Sequence, residues 1–115
     1  MPYNEFLADR IRLILNEKHI KAEEKKMFGG FCFLVDNKLL CGVFKDELMV
    51  RIAPEDEHHY LKNEDCRMMD KNPDSMKGFL MISPDGIDMD EDLTDWIERC
   101  LEYNPRAKSS KRKIK

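Results

Sequence analysis

A change of hydrophobic period at two adjacent glycines is the feature that most constrains how this chain can fold. Before Gly29 and Gly30 the apolar residues are spaced as in a helix. After them they alternate, in the segments FCFLV, LLCGVF and ELMVRI. Alternation over short segments predicts strands. Adjacent glycines allow positive φ and a close backbone approach that a Cβ atom resists. We therefore predict that the pair is a sharp backbone turn opening a set of strands.

Short connections between these strands predict an antiparallel meander. Asp36-Asn37 is expected to form a two-residue hairpin, since both residue types tolerate left-handed backbone geometry. A second turn is expected at residues 45–47. The alternation in ELMVRI predicts a sheet with one buried face. A further strand edge at residues 25–28 is left open, because the preceding segment HIKAEEKK reads as a polar connector.

Two amphipathic helices are expected to pack on this sheet. The first runs from about Asn4, a suitable N-cap, to Lys18. The last ends before Asn104-Pro105, and Asp88 with Glu91 could form a capping box at its start. Their apolar stripes are Leu7, Ile11, Ile14 and Leu15 in the first helix, and Leu93, Trp96, Ile97, Cys100 and Leu101 in the last.

Weaker signals complete the predicted order of elements. Pro54 favours a short helix to about Lys62, and strands are predicted at residues 66–70 and 79–82. The order is therefore α-β-β-β-α-β-β-α. Helices on one face of an antiparallel sheet make a two-layer α+β sandwich. We expect one domain at residues 1–105 and a basic, disordered segment at residues 106–115.

The charge is divided unevenly between these two parts. The last ten residues carry six Lys and Arg and no acid, whereas residues 1–105 carry 14 basic residues against 23 acids. The body therefore has a formal charge of −9 and the segment +6. An acidic body repels phosphate, which argues against a broad nucleic-acid surface. Only the terminal segment is expected to attract nucleic acid.

Four cysteines without CxxC spacing, Cys32, Cys41, Cys66 and Cys100, indicate free thiols in a reducing compartment. The N-terminus MPYNEFLADR lacks the apolar core of a signal peptide. No stretch approaches the ~20 apolar residues that a membrane span needs. We therefore expect a cytoplasmic protein that makes no contact with membranes.

Several separated segments resemble the N-terminal domain of the TfoX/Sxy family, which is named after a bacterial competence regulator. Met27-Phe28-Gly29-Gly30 resembles the signature of that family, and Val35-Asp36-Asn37-Lys38 occupies the place of its Asp-Gly-Lys turn, with Asn37 replacing the glycine. The remaining matching segments are Cys41-Gly42-Val43, Leu48-Met49-Val50-Arg51, Met76-Lys77-Gly78-Phe79, and Leu93 with Trp96 in the closing helix.

The resemblance implies an antiparallel sheet packed by helices, similar in shape to small secretion-chaperone-like domains. It covers the chain from the first helix to about Tyr103. Full-length competence regulators add a second domain, and we expect this chain to be a short stand-alone member without it. The resemblance implies no catalytic residues, and a role in transcription or competence is an expectation by resemblance alone.

Candidate metal sites are weak. A transition-metal site needs three or four converging donors, and the adjacent His58 and His59 point about 100° apart on a helix. The acidic run from Asp85 to Asp92 resembles a calcium loop only superficially. The sixth position of such a loop should be glycine and is Asp90, and the twelfth should be an acid and is Trp96. We predict no metal site and no cofactor.

Candidate catalytic residues are equally weak. Three of the cysteines lie on apolar segments, where a thiol behaves as a small hydrophobe, and Cys66 is expected to be the most exposed. The sequence contains no P-loop, G-x-S-x-G motif or dinucleotide fingerprint. Arg51 is expected on the exposed side of an otherwise apolar strand, where it either marks a binding face or pairs with a neighbouring acid. We therefore predict that the chain is not an enzyme.

Three interpretations of function remain after these exclusions. The first is a non-enzymatic interaction module whose partner is an unknown protein or a second copy of the chain in a homodimer. Eight methionines, five of them in the second half, suit either a peptide-binding groove or a gap-filled core. The second is a regulator that binds nucleic acid weakly through its basic segment, and a third is a small ligand-binding or enzymatic domain with an unrevealed site. The residues of that basic segment are Arg106, Lys108, Lys111, Arg112, Lys113 and Lys115.

Overall fold

A computed structural model describes residues 4–27, 29–68 and 78–106, and within them the chain forms three α-helices and six strands. In chain order these are α1 (Glu5–Glu17), β1 (Glu23–Met27), β2 (Gly30–Val35), β3 (Lys38–Phe44), β4 (Glu47–Arg51), α2 (Glu57–Tyr60), β5 (Cys66–Met68), β6 (Phe79–Ile82) and α3 (Asp90–Tyr103). Short 3₁₀ turns lie at Pro54–Asp56, Pro84–Gly86 and Asn104–Arg106.

The six strands form one antiparallel sheet in the spatial order β1-β2-β3-β4-β6-β5. The long helices α1 and α3 pack on one face of it, and their apolar stripes share a core with the inward side chains of the sheet. The predicted α+β sandwich is confirmed, because the stripes that define the two helices are the residues that the sheet buries.

Helix α1 begins where its cap predicts. The Asn4 side chain accepts a hydrogen bond from the Leu7 backbone N–H at 3.2 Å. That bond satisfies one of the amide donors that a helix start leaves without a partner. The buried side of α1 is formed by Leu7, Ala8, Ile11, Ile14 and Leu15.

The glycine pair performs two separate tasks. Gly29 has φ +80°, and a Cβ atom built on it meets no atom within 4 Å. Gly30, by contrast, lies where a Cβ atom would come within 2.5 Å of the Val43 carbonyl oxygen and 2.8 Å of the Phe44 ring. Gly29 therefore provides the backbone geometry and Gly30 provides the close approach between β2 and β3.

The turn between β2 and β3 is the predicted two-residue hairpin. Asp36 and Asn37 have φ values of 56° and 65°, the left-handed geometry of a type I′ connection. An extra residue, Leu40, interrupts the register between these strands. This bulge lets the consecutive residues Leu40 and Cys41 both face the helices, while Leu39 faces away.

Strand β1 is longer than the strand edge that the sequence left open, and it absorbs most of the predicted connector. Its residues Glu23, Glu24, Lys25 and Lys26 carry no apolar alternation, so periodicity does not reveal them. The strand lies at the edge of the sheet, where charged side chains discourage pairing with other chains. Its pairing with β2 is fixed by the turn at Gly29.

The expectation of one buried face was wrong. Met49, on the face opposite the helices, is fully buried, and it belongs to a second apolar cluster with Cys32, Leu34, Leu39 and Met81. Phe44 and Phe79 pack against this cluster. Central strands that are apolar on both sides have side chains to bury on both faces. Met49 and Met81 therefore serve as core residues.

Gly78 connects the sheet to α2. Its backbone N–H donates to Glu57 Oε2 at 2.8 Å, and its carbonyl accepts from the Ile52 N–H at 2.8 Å. Its φ is +86°, and a Cβ atom would lie 2.5 Å from the Ile52 carbonyl oxygen. Glycine is therefore required here by both backbone geometry and space.

Two predicted element boundaries need correction, and a third lies partly outside the described residues. The N-cap of α3 is Met89, which makes no side-chain capping bond, so the proposed box of Asp88 and Glu91 was wrong. The helix after Pro54 is one 3₁₀ turn followed by the single turn of α2. The strand predicted at residues 66–70 is formed at Cys66–Met68, and its last two positions lie outside the described residues.

Candidate interaction surface

Three large apolar side chains stand out from the described surface. Phe6, Leu13 and Met89 are 81%, 58% and 58% exposed, while the other large apolar residues described are buried or partly buried. Phe6 and Leu13 lie seven residues apart on α1, so they share one side of that helix. This side faces away from the core stripe. The residues are therefore apolar where the fold does not require it.

Arg10 brings the third of these side chains to the same place. Its Nη2 donates to the Ile87 carbonyl at 2.8 Å, to the Asp88 carbonyl at 3.3 Å and to Asp90 Oδ1 at 3.1 Å. These bonds hold the start of α3 against α1 one turn after Phe6. Met89 lies between the two acceptors Asp88 and Asp90, so its backbone is held beside α1 while its side chain is exposed.

A second ion pair sets the two helices side by side. Lys18 Nζ lies 2.7 Å from Glu98 Oε2, eight residues along from the Arg10–Asp90 pair on both helices. Equal steps on both helices mean that α1 and α3 run in the same direction. Their solvent sides therefore form one continuous surface.

The solvent side of α3 is acidic. Glu91, Asp95, Glu98 and Glu102 follow the i, i+4, i+7, i+11 spacing of a single stripe, and all four are exposed. They lie opposite the buried stripe of the same helix. Within α3 there are six acids and one basic residue, Arg99. We call the surface formed by Phe6, Leu13, Met89 and this acidic stripe the helical face.

Within the described residues, Arg99 forms no ion pair with the stripe. Its guanidinium carbon lies 4.6 Å from the centre of the Trp96 ring and 5.0 Å from that of Tyr60. The two rings are themselves in edge contact at 5.2 Å. The cation is thus held by aromatic faces on the side of α3 away from α1.

A cavity of about 300 Å³ lies next to Phe6 at the edge of the helical face. Phe6 and Ile87 supply apolar surface, and Arg10 and Asp46 supply polar groups. Such a mixture suits the side chain of a docking partner better than reaction chemistry. The lining residues are Asn4, Phe6, Leu7, Arg10, Asp46, Pro84, Ile87 and Asp88.

The residues singled out from the sequence lie elsewhere. Of the signature Met27-Phe28-Gly29-Gly30, the glycines act as backbone elements as described above, Met27 ends β1, and Phe28 lies outside the described residues. Of the basic segment, Arg106 is described: its Nη1 pairs with Glu55 Oε2 at 2.8 Å, and its guanidinium lies 5.3 Å from the Tyr103 ring. The described ranges do not include Lys108, Lys111, Arg112, Lys113 and Lys115.

The candidate metal ligands do not converge. His58 and His59 are both exposed on α2, and the His59 ring is in edge contact with Tyr60 at 5.1 Å. Over the described ranges, no group of three or more His, Cys, Asp or Glu side chains is placed to hold a metal ion. None of the described helices has the length and apolarity of a membrane span. Arg51, half-buried, lies with its guanidinium 5.2 Å from the Phe79 ring.

The cysteines are free and buried, and the expectation that Cys66 is exposed was wrong. Cys66 lies opposite Ile82 in the sheet and belongs to the helix-side core. Burial raises the pKa of the Cys32 and Cys66 thiols to about 11 and that of Cys100 to about 12, and it raises the pKa of Cys41 well above its ordinary value. Thiols of this kind are poor nucleophiles.

We expect the four thiols of the folded chain to react slowly with Ellman's reagent at about pH 8, because raised pKa values keep them protonated and burial blocks access. In urea sufficient to unfold the chain, all four should react at the rate of a free thiol. Stopped-flow absorbance measures both rates. Fast reaction of any one thiol in the folded chain would contradict its burial.

The sequence patterns of single elements do not predict the helical face, although it leaves a trace in them. Phe6 and Leu13 are apolar residues off the core stripe of an amphipathic helix, and Met89 interrupts an acidic run. Each is unremarkable alone. Met89 is brought near α1 by the Arg10 hydrogen bonds, which join residues about 80 positions apart in the sequence.

One family model, the TfoX N-terminal domain, matches residues 16–103, which is more than half of the chain. The match starts in the last turn of α1 and ends with the last residue of α3. It therefore includes the acidic stripe and Met89, whereas Phe6 and Leu13 precede it. No curated protein and no solved structure matches the chain.

Proposed function

The chain belongs to the TfoX N-terminal domain family, and from this premise we propose that it is a non-enzymatic protein-interaction module acting through its helical face. The observation that carries the proposal is the exposure of Phe6, Leu13 and Met89, together with the Arg10 bonds that hold the residues on either side of Met89 against α1. Exposed apolar residues grouped beside charged ones are typical of protein-binding surfaces.

The setting of this module is regulatory and cytoplasmic in our proposal. The regulatory part follows from the family, whose name comes from a competence regulator. The compartment is supported by four cysteines that are free and buried, since thiols persist where the environment is reducing. The partner is an unidentified protein, and a homodimer is the alternative arrangement.

Affinity capture from a native cytoplasmic extract tests the proposal. The bait is the full chain, and the variant is Phe6→Ser combined with Leu13→Ser. Because both side chains are largely exposed, the variant should fold normally and lose the captured partner. The matched control is Lys62→Ser with Glu64→Ser, which changes two exposed residues and leaves the net charge unchanged. Equal capture by the wild-type and the variant would reject the helical face as the binding surface.

Nucleic-acid binding through the basic segment is the second candidate function. Its support is the +6 charge of residues 106–115. The acidic stripe on α3 opposes it by repelling phosphate. Replacing the five basic residues after Arg106 with glutamine, and repeating the capture with nuclease, separates the two functions. Material that is lost both with the glutamine variant and after nuclease treatment is bound through nucleic acid. A protein that is retained in both experiments is bound by the folded domain.

A further inference from the structure

We infer that the helical face binds a basic amphipathic segment of a partner protein, with apolar side chains seated on Phe6 and Leu13 and Lys or Arg side chains beside the acids of α3. This inference rests on the proposed function and adds the chemistry of the partner. Two observations carry it: the spacing of the apolar side chains, and the charge that surrounds them.

The apolar side chains set the shape of the segment. Phe6 and Leu13 are two turns apart, which places them about 10 Å apart along α1. A helix laid along α1 presents apolar residues at the same seven-residue spacing. The cavity beside Phe6 adds room for one larger side chain. A partner helix with an apolar stripe therefore matches this half of the face.

The charges set the composition of the segment. The basic residues nearest the face are already engaged: Arg10 with Asp90, Lys18 with Glu98, and Arg12 with Asp9 and Glu24. Within the described ranges, Glu91, Asp95 and Glu102 form no ion pair. A segment covering Phe6 and Leu13 would lie next to these carboxylates, and Lys or Arg would complement them.

The same charges select against other occupants. A second copy that docked through its own helical face would bring one acidic stripe against another, and like charges facing each other disfavour that pairing. Phosphate groups of nucleic acid or of an anionic membrane are repelled in the same way. A basic amphipathic protein segment is the occupant that complements both the apolar side chains of α1 and the acidic stripe of α3.

A set of synthetic peptides of about 18 residues tests the inference by fluorescence anisotropy on the full-length chain. The probe is a Leu/Lys peptide with a helical apolar stripe. The comparison peptides are a Leu/Glu peptide with the same stripe and a scrambled Leu/Lys peptide without one. We expect binding of the striped Leu/Lys peptide only, weakening by about tenfold between about 50 mM and 300 mM salt.

Two variants and one control locate the binding. Phe6→Ser with Leu13→Ser should weaken the striped Leu/Lys peptide by about tenfold, as expected for loss of apolar anchors. Glu91→Gln with Asp95→Gln should weaken it several-fold at low salt and little at high salt. Glu23→Gln with Glu64→Gln removes the same charge from exposed positions elsewhere and should have no more than a twofold effect.

The inference is overturned if the scrambled or the Leu/Glu peptide binds as well as the striped Leu/Lys peptide, or if the control variant loses as much affinity as Glu91→Gln with Asp95→Gln. Should the captured partner still depend on Phe6 and Leu13 while none of these peptides binds, the proposed function stands and the basic chemistry of the partner is wrong. If no peptide binds and capture of the partner does not depend on Phe6 and Leu13, the helical face is rejected altogether.

Discussion

Replacing Gly78 with alanine is expected to lower the free energy of unfolding by about 3–5 kcal/mol, the combined effect of left-handed backbone strain and a backbone clash. The residue has φ +86°, and the added Cβ would lie 2.5 Å from the Ile52 carbonyl oxygen. Relief by backbone movement would strain the two hydrogen bonds that Gly78 makes to Ile52 and Glu57. Urea denaturation followed by circular dichroism measures the change.

Gly29 supplies the matched control for this prediction. Its φ is +80°, but a Cβ atom there meets nothing within 4 Å, so Gly29→Ala should cost only the backbone strain, about 1–2 kcal/mol. Gly29→Val should cost more than Gly29→Ala, because a β-branched residue resists positive φ. Equal losses for the alanine variants at the two positions would show that space around Gly78 is not limiting. An unchanged melting temperature for Gly29→Val would remove the role assigned to that turn.

The second large effect is expected at Trp96. The indole is 4% exposed in the core beneath α3 and touches Tyr60 and the guanidinium of Arg99. Trp96→Ala should destabilise the domain by about 3–5 kcal/mol, since it removes a large buried ring and leaves a cavity. The loss should appear as a lower urea midpoint with an unchanged slope.

Leu13→Ala is the control for Trp96→Ala. Leu13 is an apolar residue on α1, and its side chain is 58% exposed. Its effect should stay within about 0.5 kcal/mol. A loss below about 1 kcal/mol for Trp96→Ala would contradict the packing described for the indole. A loss above that value for Leu13→Ala would place Leu13 in the core and weaken the proposal for the helical face.

Local chemistry explains why parts of the fold could be predicted. The cap at Asn4, the hairpin at Asp36-Asn37 and the stripes of α1 and α3 depend on residues close together in sequence. Their geometry follows from side-chain hydrogen bonding, left-handed tolerance and helical spacing. The antiparallel pairing of β2, β3 and β4 follows from the short turns between them.

Two features of the sheet depend on more than local chemistry. Strand β1 has the composition of a polar connector, and only its position at the sheet edge explains the four charges. The burial of Met49 and Cys32 on the second face depends on how side chains from several strands pack there. Alternation of apolar residues distinguishes the two sides of a strand. It does not show which other side chains bury each side.

The helical face was the least predictable part. Its residues come from the two ends of the domain, and the bonds from Arg10 and Lys18 to α3 bring them together. A surface built from such long-range contacts leaves no spacing rule in the sequence. The glycine signature, by contrast, was predicted as a backbone device from the two residues themselves, and Gly29 has a positive φ while Gly30 lies close to the Val43 carbonyl.

The most direct test of the central claim is a nuclear magnetic resonance footprint of the captured partner on the ¹⁵N-labelled full chain. We predict amide shifts concentrated at residues 5–17 and 88–102, on α1 and α3. Shifts confined to residues 106–115, or spread over the edge strand β1 instead of the helices, would contradict a function carried by the helical face.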